Sequence, residues 1–438
     1  MKLFGTDGVR GHVGSVLTAP LALELGYSIA QVLPGKVALI GQDSRTSSDM
    51  IVAALTAGLT SAGKDVYKLG LCPTPAVAYL TAADRDIDLG IMVSASHNPP
   101  ADNGIKVFGR DGLKISPDCQ QQIESALTQP FSPPHSWGQC LPQTQKLADY
   151  QASILRSVKS DLTGLKIVLD LAWGAAVSVA ESVFAELGAE VISLHNQADG
   201  TKINVNCGST HLLPLQSAVL EHQADVGFAF DGDADRVLAV DPKGREVNGD
   251  YILYLWGQEL LREERLPDRA IVTTVMANLA FERAWQGNFI RTAVGDQHVQ
   301  SEMLRHGWML GGEQSGHVLC RHYGISGDGL LTAVQLASLI KCQAPLDVLV
   351  QSSFTPYPQV LQNIPVPDRE QRLNWQNCTP LVQLLDQARE ELGDRGRVLV
   401  RASGTEPVLR VMVEAETQEL TDRWLKTIVS SAAQYLHR

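Results

Sequence analysis

Three stretches of the chain share one pattern of apolar and polar positions. Each opens with a short β-branched run, continues with apolar residues at helical spacing, and closes with a second extended run. The opening runs are KVALI (36–40), KIVLD (166–170) and AIVTTV (270–275). Turn-forming residues mark the three returns: Gly63, Gly188, and the pair Gly287 and Asn288. Strand–helix–strand units build a largely parallel sheet covered by helices, so the pattern predicts three α/β domains.

Proline-rich segments separate these units. One spans residues 130–142, and prolines recur between Pro345 and Pro367. Beyond them, a helical stretch, two strands joined by a turn and a final helix predict a smaller α+β domain. The predicted fold class is therefore α/β, with three similar α/β domains and a smaller C-terminal domain. The predicted domains are 1–148, 149–248, 249–362 and 363–438.

The composition is typical of a globular enzyme with several hydrophobic cores. Of 438 residues, 44% are hydrophobic and 19% are charged. The net charge of -12 argues against a broad nucleic-acid surface but leaves room for a basic pocket that binds an anionic metabolite. No apolar run reaches the roughly 18 residues of a membrane helix, and residues 1–10 lack a signal peptide's apolar stretch. The seven cysteines form no CxxC pair, which favours a reducing compartment. We expect a cytoplasmic protein with no nucleic-acid or membrane partner.

The segment FDGDADR, between two apolar runs, is a candidate metal site. It places three alternating aspartates before an arginine: Asp231, Asp233, Asp235 and Arg236. Carboxylates crowded at one strand connection repel each other unless a cation lies among them, and oxygen ligands favour a hard ion such as Mg²⁺. A solvated polar turn is the alternative, since aspartate favours turns. An EF-hand is excluded, because its sixth position would be glycine and is Arg236, and its twelfth would be glutamate and is Pro242.

The segment SASHNPPADNGIKVF, which follows the apolar run LGIMV, is a candidate reactive loop. Its polar residues include Ser94, Ser96, His97, Asn98 and Lys106. The adjacent serine and histidine suggest a hydrolase, but adjacent side chains usually diverge and the GxSxG elbow is absent. A polar loop held by Asx turns is a second alternative. With a metal site elsewhere in the chain, the loop serine becomes a candidate carrier of a phosphoryl group.

Three further segments have weaker signals. RASGTEP combines an arginine, two hydroxyls and a glycine between two predicted strands, as Arg401, Ser403, Gly404 and Thr405. Such a loop can bind an anion, although an ordinary hairpin explains its Ser-Gly pair equally well.

The segment GGEQSGH contains Glu313 and Ser315, which can form hydrogen bonds with sugar hydroxyls, and His317, which can exchange a proton. A flexible glycine loop is the alternative. FGTDGVRG, with Arg10, is ambiguous alone.

Together and in this order, FGTDGVRG, SASHNP, DGDADR, GGEQSGH and RASGTEP resemble the α-D-phosphohexomutase superfamily, and most closely its bacterial phosphoglucosamine mutase family. The resemblance covers nearly the whole chain. It implies three similar α/β domains and a smaller fourth domain around a central cleft. It also implies interconversion of glucosamine 6-phosphate and glucosamine 1-phosphate through a phosphoserine enzyme and a 1,6-bisphosphate intermediate, a reaction that feeds UDP-N-acetylglucosamine and cell-wall precursor synthesis.

The resemblance also implies roles for individual residues. Ser96 is the phosphoserine and binds Mg²⁺ together with Asp231, Asp233 and Asp235, while Lys106 and His317 transfer protons. The implied substrate-binding residues are Arg10, His97, Arg236, Glu313, Ser315, Arg401, Ser403, Gly404, Thr405 and Arg410. The implied partner is a small sugar phosphate, with a hexosamine 1,6-bisphosphate as activator and intermediate. A homodimer stays an open alternative. The sequence does not identify the kinase that first phosphorylates Ser96.

The chain departs from the family at three positions. Ala293 and Gln297 stand where relatives often have basic residues, and Arg291 or His298 are the candidates to compensate. Trp173 replaces a common asparagine, a change we expect to be structural. Two alternative functions stay open: a phosphomannomutase/phosphoglucomutase of the same superfamily, and a non-catalytic sugar-phosphate-binding protein.

Overall fold

A computed structural model describes residues 3–5, 7–130, 136–158, 160–403 and 407–436. In this part of the chain the strands form four sheets of six, five, four and three strands. The chain divides into two compact units: residues 1–276 with 286–353, and residues 277–285 with 354–438. The first three sheets lie in the first unit and the three-stranded sheet lies in the second.

The first sheet contains the predicted strand–helix–strand unit and positions the serine loop. Its strands are β1 (Val9–His12), β2 (Val37–Gln42), β3 (Asp65–Leu71), β4 (Leu89–Val93), β5 (Asp102–Phe108) and β6 (Cys140–Pro142). The helices of this region are α1 (Ala19–Val32), α2 (Ser48–Ser61), α3 (Thr74–Ala83) and α4 (Pro117–Ala126). The strand order is β1-β5-β4-β2-β3-β6, with β2 parallel to β3 and β4. Since parallel strands end at one edge, the loops after β2 and β4 start side by side.

The second sheet positions the aspartate loop. Its strands are β7 (Lys166–Asp170), β8 (Glu190–Leu194), β9 (Val226–Phe230), β10 (Val237–Val240) and β11 (Glu246–Val247), in the order β11-β10-β9-β7-β8. Its helices are α5 (Leu147–Leu155), α6 (Ala180–Glu186) and α7 (Leu213–His222). The stretch with helical spacing after KIVLD is not one continuous helix but a 3₁₀ turn, Ala175–Ser178, followed by α6. β-Branched valines and a serine, all weak helix formers, occupy the break.

The third sheet positions the segment GGEQSGH. Its strands are β12 (Ile271–Thr274), β13 (Phe289–Thr292), β14 (Leu310–Gly312) and β15 (Val318–Cys320), in the order β13-β12-β14-β15. The helices in this part of the sequence are α8 (Gly249–Arg262), α9 (Leu279–Ala284), α10 (Asp296–His306), α11 (Gly329–Cys342) and α12 (Leu346–Gln351). Strands β14 and β15 are antiparallel, so residues 313–317 form the loop of a hairpin.

Helix α9 has the predicted place in the sequence but belongs to the second compact unit. The backbone N–H of Leu279 donates to Oε1 of the buried Glu414 at 2.6 Å. The Asn278 side chain caps the helix and bonds the backbone of Tyr357 in both directions. Hydrophobic spacing does not show such long-range polar bonds, so the sequence pattern does not indicate that α9 packs with residues 354–438.

The second unit contains the smaller fourth domain. Its strands are β16 (Gln359–Pro365), β17 (Gly396–Ala402) and β18 (Val408–Ala415), antiparallel in the order β16-β18-β17. Besides α9, its helices are α13 (Arg369–Leu373), α14 (Thr379–Leu392) and α15 (Gln418–Leu436). The predicted elements α14, β17, β18 and α15 are confirmed. Strand β16 was not predicted, because it is a largely solvent-facing edge strand that starts and ends beside prolines; the expected boundary at 362/363 falls inside it.

Three α/β domains and a smaller C-terminal domain therefore form the fold, and the predicted fold class is confirmed. Among the helices in the described ranges, none combines the length and the apolar character needed to cross a bilayer.

Candidate functional site

The three aspartates of FDGDADR lie together in the connection between β9 and β10, as predicted. Asp231 and Asp233 are fully buried and Asp235 is 4% exposed. One carboxylate oxygen from each lies within 4.8 Å of the others. The solvated-turn alternative is therefore wrong, since none of the three side chains faces water.

The electrostatics of this cluster fit a bound cation. Among the described residues, Asp233 Oδ1 and Asp235 Oδ1 are buried without a hydrogen-bond partner. Burial, with the charges of Asp235 and Asp233, raises the pKa of Asp231 well above its usual value. Buried oxygens without donors and a carboxyl group that resists ionisation show too much negative charge for the surrounding donors. The three aspartates offer a metal ion only carboxylate oxygens, which suit a hard divalent ion.

Ser96, in the loop between β4 and β5, contacts the aspartate cluster directly. Its hydroxyl is buried and donates to Asp231 Oδ2 at 2.5 Å. The approach of the two loops depends on Gly232, where a Cβ atom would lie 2.6 Å from the Ser96 carbonyl oxygen. A nucleophilic oxygen and a candidate metal site thus come from different domains to one point.

The geometry does not favour the hydrolase alternative. His97 Nδ1 does lie 3.3 Å from Ser96 Oγ, contrary to the expected divergence, because Ser96 has a left-handed backbone with φ 52°. However, burial and the charges of Arg236 and Arg10 lower the pKa of His97 to about 4. Among the described residues, no carboxylate bonds to His97, so a Ser-His-Asp relay is not assembled here.

Sequence reasoning missed the residue that shapes the serine loop, Arg45. Its buried guanidinium donates to the carbonyl oxygens of Ser96 at 2.9 Å, Asn98 at 2.7 Å and Asp102 at 2.9 Å. It also pairs with buried Asp43 at 2.9 Å. The available signal was GQDSR, which spans the end of β2, and the carboxyl end of β2 lies beside that of β4.

Lys106, on β5, contacts the aspartate cluster. Its Nζ lies 2.7 Å from Asp233 Oδ2 and 3.0 Å from Asp235 Oδ2. Burial lowers the pKa of Lys106, but these two carboxylates and Asp7 outweigh burial and raise it well above the usual value. The same ammonium, with His317, holds the pKa of Asp235 well below its usual range despite burial. Lys106 is thus a charged donor and not a ready base.

His317, in the β14–β15 hairpin, faces the same cluster. Its Nδ1 lies 3.7 Å from Asp235 Oδ1, and its Nε2 lies 3.7 Å from Asp296 Oδ2. Burial lowers the pKa of His317, but the neighbouring carboxylates Asp235, Asp296 and Glu313 raise it to about 8. The ring packs against Gly327, where a Cβ atom would lie 2.1 Å from Nε2. This histidine titrates in the range where proton transfer is useful.

Charges alternate around a cleft in the first unit. Lys114, also missed from the sequence, pairs with both Asp7 and Asp296, and its pKa is raised by these carboxylates against the effect of burial. The alternating groups are Asp235, His317, Asp296, Lys114, Asp7 and Lys106. Asp296 belongs to the segment in which Ala293 and Gln297 stand where relatives often have basic residues. Lys114 therefore supplies a cation to this segment. Arg291, one of the residues expected to compensate, lies over the Phe289 ring at 5.5 Å.

The other predicted substrate-binding residues of the first unit differ in their burial and contacts. Buried Glu313 lines the cleft and accepts a hydrogen bond from the Gly295 N–H at 3.0 Å. Ser315 is exposed at the tip of the β14–β15 hairpin. Arg10 pairs with Asp7. The Arg236 N–H donates to Asp231 Oδ1 at 3.2 Å.

In the second unit, the predicted anion loop connects β17 and β18. Arg401 and Arg410 are direct cross-strand partners in these strands, and the Ser403 N–H donates to the Val408 carbonyl at 2.9 Å. Like charges directly opposite each other destabilise a sheet. Gly404 and Thr405 lie outside the described residues.

Four consecutive matches identify the family. Residues 1–132, 146–244 and 248–357 match the alpha/beta/alpha domains I, II and III of phosphoglucomutase/phosphomannomutase, and residues 361–431 match its C-terminal domain.

Individual relatives agree with this match. A phosphoglucosamine mutase from Trichormus variabilis is 59% identical over 99% of this chain and 91% of its own length. A phosphoglucomutase/phosphomannomutase family protein from Burkholderia thailandensis has a similar structure, with a TM-score of 0.82 and 26% identity over 99% of this chain and 97% of that chain. An N-acetylphosphoglucosamine mutase from Aspergillus fumigatus, solved in complex with GlcNAc-6P and magnesium, shares the fold with a TM-score of 0.67 and 15% identity over 99% and 96% of the two chains. The chain belongs to the phosphoglucosamine mutase branch of the phosphoglucomutase/phosphomannomutase family.

Proposed function

We propose that the chain interconverts glucosamine 6-phosphate and glucosamine 1-phosphate through phosphorylated Ser96. The observation that carries this proposal is the 2.5 Å bond from Ser96 Oγ to Asp231 in a buried cluster of three aspartates. A nucleophilic oxygen beside a carboxylate cluster suits phosphoryl transfer, because the chemistry is mostly positioning and charge neutralisation. The high identity to phosphoglucosamine mutases supports the choice of sugar.

The proposed reaction has two transfers. In the first, O1 of glucosamine 6-phosphate attacks the phosphorus on Ser96, the bond from phosphorus to Ser96 Oγ breaks, and the O1 proton goes to a protein base. The product is the 1,6-bisphosphate. The bisphosphate then reorients in the cleft, so that its O6 phosphate faces Ser96. In the second transfer, Ser96 Oγ attacks the phosphorus at O6, and O6 takes a proton as its bond to phosphorus breaks.

The charged groups of the cleft fit these steps. His317, with a pKa of about 8, is suited to hold or release the proton of the sugar hydroxyl. Lys106 stays protonated between two carboxylates and acts as a donor and a fixed positive charge. Asp231, Asp233, Asp235 and phosphorylated Ser96 would hold Mg²⁺, which neutralises charge on the transferring group when it is bound.

Arg401 is proposed to bind the phosphate that is not transferred, together with Arg410 and Ser403. Gly404 and Thr405, which lie outside the described residues, are part of the same proposal. Arg401→Ala should weaken apparent substrate affinity about a hundredfold, because a bidentate charged contact is lost. Turnover at saturating substrate should fall much less. Arg395→Ala, whose guanidinium bonds the Glu391 carbonyl in the same unit, is the matched control. Unaltered KM in Arg401→Ala would show that the loop is a plain hairpin.

A substrate panel tests the proposed function against its nearest alternative. Initial rates should be compared for glucosamine 6-phosphate, glucose 1-phosphate and mannose 1-phosphate at equal bisphosphate activator. We expect the highest kcat/KM for the glucosamine compound. A preference for the hexose phosphates would instead indicate a phosphomannomutase/phosphoglucomutase, and binding without turnover of any of them would indicate a binding protein.

The other predictions from sequence complete the proposal. We propose a cytoplasmic enzyme that acts on small sugar phosphates, without a nucleic-acid or membrane partner, and with a hexosamine 1,6-bisphosphate as activator. A homodimer and the domain boundaries 1–148, 149–248, 249–362 and 363–438 stay predictions. The roles of Arg10, His97, Arg236, Glu313 and Ser315 in substrate binding are part of the same proposal.

A further inference from the structure

A second group of metal-ligating side chains lies in the second α/β domain and shares no residue with the aspartate cluster. It consists of Asp170, His195 and Cys207, and one ligand atom from each lies within 4.8 Å of the others. The fold brings them together from three separate segments. Asp170 ends β7, and its parallel partner in β8 is Leu194, the residue before His195. Cys207 comes in from a later loop.

The loop that carries Cys207 is tied to the same carboxylate. The Gly208 N–H donates to Asp170 Oδ2 at 2.9 Å, which places Cys207 beside Asp170. His195 Nδ1 lies 2.9 Å from Asp170 Oδ1. Asp170 and Cys207 are fully buried, while the His195 side chain is 23% exposed. The cluster is thus enclosed on the protein side and open to solvent at the histidine.

The donor set differs in chemistry from the aspartate cluster. A thiolate, an imidazole and a carboxylate are the ligands that zinc and similar divalent transition ions take in proteins, and a thiolate is a poor ligand for Mg²⁺. One thiolate and one carboxylate would balance the charge of a divalent ion.

Trp173, one of the three residues that depart from the family, packs against the histidine of this cluster. The Trp173 ring packs on the His195 ring with centroids 5.3 Å apart, and Lys202 Nζ lies 4.8 Å from the centre of the Trp173 ring. An aromatic side chain against a ligating histidine orients the imidazole and limits solvent access. The substitution at Trp173 thus supplies a wall of the cluster.

We propose that Asp170, His195 and Cys207 bind one zinc-like divalent ion, with solvent completing its coordination on the His195 side. The site is structural. It would fix the loop before Cys207, where Asn204 Nδ2 donates to the Ser96 carbonyl at 2.8 Å and to the Asn98 carbonyl at 3.2 Å. The ion would therefore brace the serine loop from the second domain without touching the reacting atoms.

Cobalt(II) titration of the full-length chain in excess Mg²⁺ tests this site. We expect visible d–d bands and a near-ultraviolet thiolate-to-cobalt band that saturate at one ion per chain and disappear on addition of zinc. The double variant C140S/C342S removes the two exposed cysteines and should keep both bands. Cys207→Ser should lose the thiolate band, and His195→Gln should weaken binding at least tenfold.

Three results would overturn the proposal. They are wild-type protein without these bands, bands that persist in both Cys207→Ser and His195→Gln, and bands lost only in C140S/C342S. Because His195 is partly exposed, His195→Gln tests the site even if Cys207→Ser fails to fold. The readout does not depend on mutase activity, so the site can fail while the proposed function stands, and the reverse.

Discussion

Replacing Ser96 by alanine should abolish phosphoglucosamine mutase turnover. The hydroxyl at this position is the proposed carrier of the phosphoryl group and lies 2.5 Å from Asp231. Without it neither transfer can occur, and loss of a covalent nucleophile typically costs roughly four or more orders of magnitude in rate. The measurement is the steady-state rate with glucosamine 6-phosphate and bisphosphate activator.

Sugar-phosphate binding is the internal control for this variant. Ser96→Ala should still bind glucosamine 6-phosphate in calorimetry, because the arginines opposite each other on β17 and β18 are unchanged. Ser94→Ala is the neighbouring comparison: the Ser94 hydroxyl donates to Asp43 at 2.6 Å and accepts the Ser96 N–H at 2.9 Å. It shapes the loop but leaves Ser96 Oγ, so we expect a far smaller loss. Turnover by Ser96→Ala within tenfold of wild type would contradict the mechanism.

Asp233→Asn should weaken Mg²⁺ activation and lower turnover by roughly two to three orders of magnitude. The substitution removes one negative charge from a buried cluster whose Asp233 Oδ1 has no donor among the described residues. Charge on the transferring phosphoryl group is then poorly neutralised. It also removes the charge that Lys106 approaches at 2.7 Å. The measurement is the Mg²⁺ dependence of the rate.

A second buried aspartate provides the control for charge removal. Asp241 follows β10, is fully buried, and pairs with Arg245 at 2.6 Å outside the aspartate cluster. Asp241→Asn should lower the free energy of unfolding but keep the wild-type Mg²⁺ dependence. Equal activation curves for Asp233→Asn and wild type, or full activity after exhaustive chelation of divalent ions, would show that the three aspartates are not the metal site.

The sequence could predict most of the fold because its signals are local. A β-branched run followed by apolar residues at helical spacing identified β2 with α2, β7 with α6, and β12 with α9. The pattern does not show features that long-range interactions decide. Hydrogen bonds to Glu414 and Tyr357 attach α9 to the second unit. Strand β16 is an edge strand of β18 without a periodic apolar pattern of its own.

The same distinction applies to the candidate site. Asp231, Asp233 and Asp235 are close in sequence, so their juxtaposition was visible as a motif. Arg45 and Lys114 were missed, because each acts on partners far along the chain. Arg45 bonds carbonyl oxygens more than fifty residues away, and Lys114 pairs with Asp296 across 182 residues. Only the packed fold shows that such cations bind the functional loops.

Phosphopeptide mapping of the purified chain, combined with rate measurements on the same samples, tests the phosphoserine mechanism most directly. The account predicts phosphate on Ser96 in a fraction of molecules and near-zero activity after phosphatase treatment. It also predicts that a hexose or hexosamine 1,6-bisphosphate restores both the modification and the rate in proportion. Full activity in a sample shown to carry no phosphate on Ser96, with no bisphosphate present, would contradict it.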